Sequence, residues 1–319
     1  MDQKSSSLKI ASFGIVIGML ILCAIFAGCT SSSPQATTPV TTAIASTPVM
    51  TPQPVATTAA PVATPAVVKT TSTPAPVYTN SEGTVVAYTA ASLKGASPKL
   101  AADFEKMYPG HKVIFNLDGT QALKTQVQNG AYADVFISAS NAYTTELTKG
   151  GYFVDGTVKP LTSNYVTVIL PATNPANIQS LADLSKPGLK IAMGDKSVPV
   201  GAATYGALAN LAKSTYGADW NTSVFKNVVT YETSEPGVAA KVALGEVDAG
   251  FVYESTSAAA KTGTYTVITI PKNDNYLQTY TIGILKGSNS KGAAADFENF
   301  MLSTNAGQQD LKDYGFRAV

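Results

Sequence analysis

Ser92, Thr120, Val200 and Glu235 each fall in a short loop between the end of an apolar run and the start of a helical pattern. A helix start presents backbone N–H groups with no partner inside the helix, together with the positive end of its dipole. Both features suit a small anion. Tyr253 ends the last apolar run. Hydroxyls and amides are neutral donors, so the chemistry they offer is non-covalent capture, not bond-making. A plainer reading exists for the same residues. Ser and Thr at helix starts are common as caps, and a tyrosine at a strand end is often a core aromatic. Capping and binding are compatible.

The rest of the composition narrows the choice. The 319 residues contain one arginine, Arg317, one histidine, His111, and two cysteines, Cys23 and Cys29. Holding phosphate or carboxylate through a guanidinium fork would rest on Arg317 alone, near an end expected to fray. A zinc site of Cys or His ligands is excluded by count, and His111 has no partner motif for acid–base work. His111 follows Pro109-Gly110 and reads as an exposed turn residue. A formal net charge of +1 with scattered lysines lacks the clustered positive surface that nucleic acid requires.

Apolar strands read at 84–87, 112–115, 134–137, 189–193, 227–231 and 248–253, with helices between them. Leu93, Leu100, Ala101, Phe104 and Met107 form the stripe of the first helix, which stops at Tyr108-Pro109-Gly110. Further helices read at 121–129, 202–216 and 236–244. Such alternation indicates an α/β fold with largely parallel strands, whose ligands bind at the carboxyl ends of the strands. Two stretches share one layout. Thr120 opens a helix that stops at Gly130 and leads to Asp134, and Glu235 opens one that stops at Gly245 and leads to Asp248. They read as equivalent units of two lobes, with Asp134 and Asp248 ending the helices and bracing the next strands. Trp220 reads as packing.

Residues 1–29 have a different character. Lys4 and Lys9 precede an apolar run over 10–26, and Phe26-Ala27-Gly28-Cys29 follows. This is the pattern of an export signal, and its end resembles the lipobox of prokaryotic lipoproteins, which implies a lipid on Cys29. Phe26 departs from the usual Leu, Val or Ile. An uncleaved anchor is the alternative, since a mainly apolar run of 17 residues sits at the lower limit for crossing a bilayer. Either way the remainder is extracytoplasmic, on the outer face of the cell membrane. Residues 30–80 hold 14 Thr, 5 Ser and 9 Pro with Lys69 as the single charge. They read as a disordered tether, able to reach up to roughly 150 Å.

Ordered motifs across 83–318 resemble one family. Val85-Val86-Ala87-Tyr88-Thr89-Ala90-Ala91-Ser92-Leu93 and Asp118-Gly119-Thr120-Gln121-Ala122-Leu123 are similar to the first two motifs of the molybdate-binding proteins of ABC importers. Ala133-Asp134-Val135-Phe136-Ile137-Ser138-Ala139, Gly194-Asp195 through Val198-Pro199-Val200-Gly201, Gly250-Phe251-Val252-Tyr253 and Tyr314-Gly315-Phe316 follow in the family's order. The resemblance implies a two-lobed periplasmic-binding-protein fold, type II, with two crossings between lobes. Lobe one would be 83–162 plus 283–319 and lobe two 165–280, with crossings near 163–166 and 279–283. It also implies a ligand, molybdate or tungstate, with no cofactor. Ser92 and Thr120 would use hydroxyl and N–H, Val200 and Glu235 the N–H alone, and Tyr253 its phenol.

Thr120 stands where the family has serine, and Glu235 where it has an apolar residue. A related archaeal group completes a six-coordinate metal centre with an Asp and a Glu. Asp118 and Glu235 are the candidates for that alternative here; outward-pointing, solvated carboxylates are the plainer expectation. The function expected is a surface-tethered, monomeric binding protein that passes an oxyanion to an ABC permease in the membrane, not an enzyme. The same scaffold holding sulfate, phosphate or an organic acid is the first alternative. An exported enzyme or an adhesin is the second.

Overall fold

A computed structural model describes residues 83–318. The expected leader, Cys29 and the tether lie outside these residues. The first part of the described chain runs β1 (Thr84–Ala90), a 3-10 turn (Ala91–Gly95), α1 (Ser97–Met107), β2 (Lys112–Asp118), α2 (Thr120–Gln128), β3 (Val135–Ser138), α3 (Asn141–Lys149) and the long β4 (Lys159–Pro171). Then come β5 (Ile191–Gly194), α4 (Pro199–Leu211), α5 (Ala218–Lys226), β6 (Val228–Glu232), α6 (Glu235–Ala243) and β7 (Ala249–Tyr253). The last elements are α7 (Glu254–Ala259), β8 (Tyr265–Thr269), β9 (Leu277–Ile284), α8 (Lys291–Leu302) and α9 (Gly307–Asp313).

The strands lie in the order β2-β1-β3-β9-β4-β7-β5-β6, with β8 on β4. Strand β4 belongs to both halves of this path. Its residues Lys159–Tyr165 pair with β9, and Val166–Pro171 pair with β7 and β8. Each half is therefore a lobe with its own parallel trio, β2-β1-β3 in one and β6-β5-β7 in the other. In both trios the first strand in sequence is central and the third is innermost, beside β9 in lobe one and beside β4 in lobe two. The paired aspartates follow the same plan. Asp134 and Val86 exchange two hydrogen bonds, Asp134 N–H to Val86 O and Val86 N–H to Asp134 Oδ2, both 2.8 Å. Asp248 and Lys190 exchange the same two, also at 2.8 Å.

Apolar periodicity explains the cores. Leu100 and Phe104 of α1 are fully buried and pack with Phe297 and Phe300 of α8. Met107, on the same expected stripe, is half exposed in the last turn. In lobe two, Ile191, Met193 and Phe251 pack with Ala207, Leu208 and Leu211 of α4. Trp220 stacks on Tyr216 and donates to Leu181 O.

Three expectations change. Residues 279–283 pair inside the first sheet, so β9 has already joined it at Leu277, ahead of the expected return crossing. His111 is buried, 8% exposed, and packs on the rings of Phe104 and Tyr108 with Nε2 3.3 Å from Asp296 Oδ2. The turn signal was right, but α8 covers the turn. Arg317 is not frayed. Its backbone pairs with Ser163, its guanidinium holds Glu254 Oε2 at 2.6 and 3.1 Å, and it lies over Tyr165.

Candidate functional site

The strand ends of both parallel trios face one another, and the loops that follow them line one small cavity. Ser92 follows β1, Thr120 opens α2 after β2, Val200 lies in the first turn of α4 after β5, and Glu235 opens α6 after β6. Tyr253 ends β7. All five line the cavity, with Ala90, Ala91, Gly119, Ala139, Val198 and Pro199. It measures about 20 Å³, against the roughly 10–15 Å³ a single water occupies on the same measure. A small ion fits; a sugar or peptide does not.

The three helix starts carry no side-chain cap. No side-chain cap therefore takes the N–H groups of Thr120, Val200 and Glu235, which line the cavity at the dipole ends of their helices. The capping reading of Ser92 and Thr120 is not realised: Ser92 lies in a 3-10 turn, and Gly119 occupies the cap position before Thr120. A close backbone approach sets the start of α4. A Cβ on Gly201 would stand 2.0 Å from Asp195 O and 2.5 Å from Gly194 O. Only glycine allows this, which is the physical content of the Gly-Asp…Val-Pro-Val-Gly run.

Each hydroxyl is backed by a neighbour. Ala139 N–H donates to Thr120 Oγ1 at 3.2 Å, leaving the threonine proton free to donate. Ser92 Oγ and Tyr280 Oη share a hydrogen bond of 2.9 Å. Tyr280 is fully buried, and burial, then the Glu235 charge, raises its phenol well above the ordinary value. It keeps its proton, and when it donates to Ser92 the serine proton is free for the cavity. Tyr280 stands edge-on to Tyr253, ring centroids 6.1 Å apart. Sequence reasoning missed Tyr280 because it belongs to β9, which no apolar run announced.

Tyr253 is 1% exposed and its hydroxyl has no partner among the described residues. Burial first, then Tyr280, Glu235 and Tyr276, lift its phenol well above the ordinary range. It is a donor without an acceptor. Such an orphan in a buried site carries the full cost of desolvation unless something else accepts from it.

Glu235 corrects the expectation of a solvated carboxylate. It is 3% exposed, and Oε1 accepts from Tyr253 N–H and Thr256 Oγ1, both at 2.7 Å. Oε2 is buried without a partner. Burial pushes the carboxyl up to about 7, with those two hydrogen bonds opposing. Asp118 does not line the cavity; it is half-buried, and its Oδ1 accepts from Gly119 N–H. The paired carboxylates of the six-coordinate alternative are thus not brought together. Among the described residues, no group of three His, Cys, Asp or Glu is placed to hold a metal ion, and the lining includes no Lys, Arg or His.

Comparison with known proteins agrees with this geometry. Residues 85–317 match the family model described as bacterial extracellular solute-binding protein. The molybdate-binding protein ModA of Mycobacterium tuberculosis is 32% identical over 75% of this chain and 86% of its own length. A putative ABC transporter substrate-binding lipoprotein of Bacillus subtilis, YvgL, is 27% identical over 74% of this chain and 86% of its own. The solved substrate-binding domain of a putative molybdenum ABC transporter from Clostridium difficile aligns with 28% identity and a TM-score of 0.57, covering 74% of this chain and 99% of that one. With the family model matched across residues 85–317, the chain belongs to the bacterial extracellular solute-binding protein family.

Proposed function

We propose that this chain captures molybdate, or tungstate of nearly the same size, and delivers it to an ABC permease. One observation carries the reading: five residues from two lobes surround an ion-sized cavity with neutral donors. Tyr253 and Thr120 contribute hydroxyl protons, Ser92 does so when Tyr280 donates to it, and Val200 and Glu235 sit at uncapped helix starts. A fully deprotonated tetrahedral dianion has only acceptors, so a donor set satisfies it without fixed positive charge. Such a donor set suits reversible binding without turnover. The sequence similarity to molybdate-binding proteins supports the choice of anion.

Delivery to a membrane permease requires the domain to stay at the cell surface. A lipid on Cys29 and the Thr/Ser/Pro-rich tether fit that need. The name of the Bacillus relative, a lipoprotein, supports the same reading. The binding domain acts as a monomer, since both halves of the site come from one chain.

Thermal unfolding and calorimetry with molybdate, sulfate and phosphate test the assignment. Molybdate should raise the melting temperature, because a ligand that binds only the folded state stabilises it. Equal shifts with sulfate or phosphate would overturn the choice of anion.

A further inference from the structure

Two side chains of lobe one reach across to the loops of lobe two that carry anion donors. Gln121 follows Thr120 in the first turn of α2. Its Nε2 donates to Thr233 O at 2.8 Å, a contact between residues 112 apart in sequence. Thr233 lies two residues before Glu235. Tyr143 of α3 donates from its hydroxyl to Ser197 O at 2.5 Å, three residues before Val200. Both acceptors are backbone carbonyls on exposed loop residues. Neither Gln121 nor Tyr143 lines the cavity.

We propose that Gln121 and Tyr143 are positioning residues for anion capture, each fastening one lobe-two donor loop over the cavity from the lobe-one side. The proposal rests on the oxyanion reading and adds to it the residues that hold the two lobes shut. Three further features support it. A carbonyl acceptor fixes which end of the Gln121 amide faces Thr233, since only the NH2 end can donate. The approach of the two loops leaves no room for a side chain at position 119: a Cβ on Gly119 would stand 2.7 Å from Thr233 O. Tyr143 is itself held in place, with Lys124 over its ring at 4.7 Å and paired to Glu146.

The two contacts form only when the lobes meet. They belong to the closed state and vanish when the lobes part, so their free energy acts on release of the ion. Diffusion of the anion into an open cleft does not involve them. A merely structural role would instead appear in the stability of the ligand-free protein.

The test compares the wild-type protein with Gln121→Ala, Tyr143→Phe and the double variant. Molybdate association and dissociation rates are followed by stopped-flow tyrosine fluorescence, and the melting temperature of the ligand-free protein is recorded. A neutral hydrogen bond contributes about 1 kcal/mol, so each single variant should release molybdate roughly 3- to 10-fold faster, with association changed less than about twofold. The ligand-free melting temperature should stay unchanged. Gly119→Ala should keep the radius of gyration of the molybdate-loaded protein near that of the ligand-free one, since its Cβ blocks closure. An unchanged dissociation rate in the double variant overturns the proposal. So does a fall in ligand-free stability that accounts for the lost affinity. A wild-type protein that binds none of molybdate, sulfate or phosphate overturns the oxyanion reading, and the proposal with it.

Discussion

Glu235 Oε1 accepts from the backbone N–H of Tyr253 at 2.7 Å, fixing the carboxyl of one cavity residue to the main chain of another. The contact joins the start of α6 to the end of β7, 18 residues apart. It keeps one carboxylate oxygen occupied while leaving the Tyr253 hydroxyl unpartnered.

The consequence is a pH-dependent stability with a definite sign. Burial raises the Glu235 carboxyl from 4.5 to about 7 in the folded protein. Between these values the folded state holds a proton that the unfolded chain has released, so stability falls as pH rises from 4.5 to 7 and levels above it. A shift of this size corresponds to on the order of 3 kcal/mol. Urea unfolding of wild type and Glu235→Gln across pH 4.5–8 should show this contribution in the wild type and its absence in the variant. Gln keeps an oxygen for Tyr253 N–H but cannot ionise.

The same group shapes binding. An ionised Glu235 beside a dianion is repulsive, so the bound state favours the protonated carboxyl. Molybdate affinity should therefore decrease from pH 6.5 to 8.5 in the wild type and stay level in Glu235→Gln. Calorimetry in buffers of different ionisation enthalpy should register proton uptake above pH 7. Hydrogen phosphate brings a proton that needs an acceptor, and Glu235 is the one acid lining the cavity. Any residual phosphate binding should weaken in the same variant.

How far the sequence leads depends on what holds each part. The parallel trios were legible because apolar runs alternate with helices that stop at Gly130 and Gly245, both at positive φ. Strands β4 and β9 were not. Thr162, Ser163, Asn164 and Gln278 are buried polar residues where the lobes join: Thr162 and Ser163 donate to the Arg317 carbonyl, Asn164 Nδ2 to Ser255 Oγ and Gln278 Nε2 to Thr279 O. The stretches of β4 and β9 that carry these residues do not read as apolar runs, and Tyr280 was hidden with them. All five residues expected around the anion line one cavity, because four follow a strand and Tyr253 ends one, and parallel pairing fixes where those strands end. The burial of Glu235 was illegible, since its acceptor role depends on Tyr253 N–H and Thr256, in another element. His111 was misjudged for the same reason, its cover coming from α8.

Removing donors should weaken binding in proportion to how directly each meets the anion. A hydrogen bond to a charged group contributes about 1.5–3 kcal/mol, so Ser92→Ala and Tyr253→Phe should each reduce molybdate affinity roughly 10- to 100-fold. Tyr280→Phe should reduce it less, because it only frees Ser92 from its partner. Calorimetry gives these affinities, and far-ultraviolet circular dichroism checks the fold. An unchanged affinity in Ser92→Ala combined with Tyr253→Phe would reject the placement of the ion.

A buried ion held by dipoles and hydroxyls is poorly screened. Raising salt from 0.05 to 0.5 M should lower molybdate affinity by less than about threefold, although the Debye length falls severalfold over that range. Capture by exposed lysines would show a far steeper dependence. Titrations at three salt concentrations separate the two.

Asp134 offers a prediction that separates scaffold from site. It is fully buried, and it accepts from Val86 N–H at 2.8 Å, Tyr132 Oη at 2.5 Å and Ser288 Oγ at 2.6 Å. Asp134→Ala leaves these donors without an acceptor, and each unsatisfied buried group costs about 1–3 kcal/mol. Tyr132 is exposed enough for water to replace the lost bond, so the cost rests mainly on Val86 and Ser288. The variant should lose about 3 kcal/mol in urea unfolding. Asp248→Ala should lose less, because the side chain reaches Lys190 N–H from a half-exposed position. Neither aspartate lines the cavity, so at temperatures where both variants are folded their molybdate affinity should match the wild type. A loss of affinity without a loss of stability would mean that the aspartates act on the site itself.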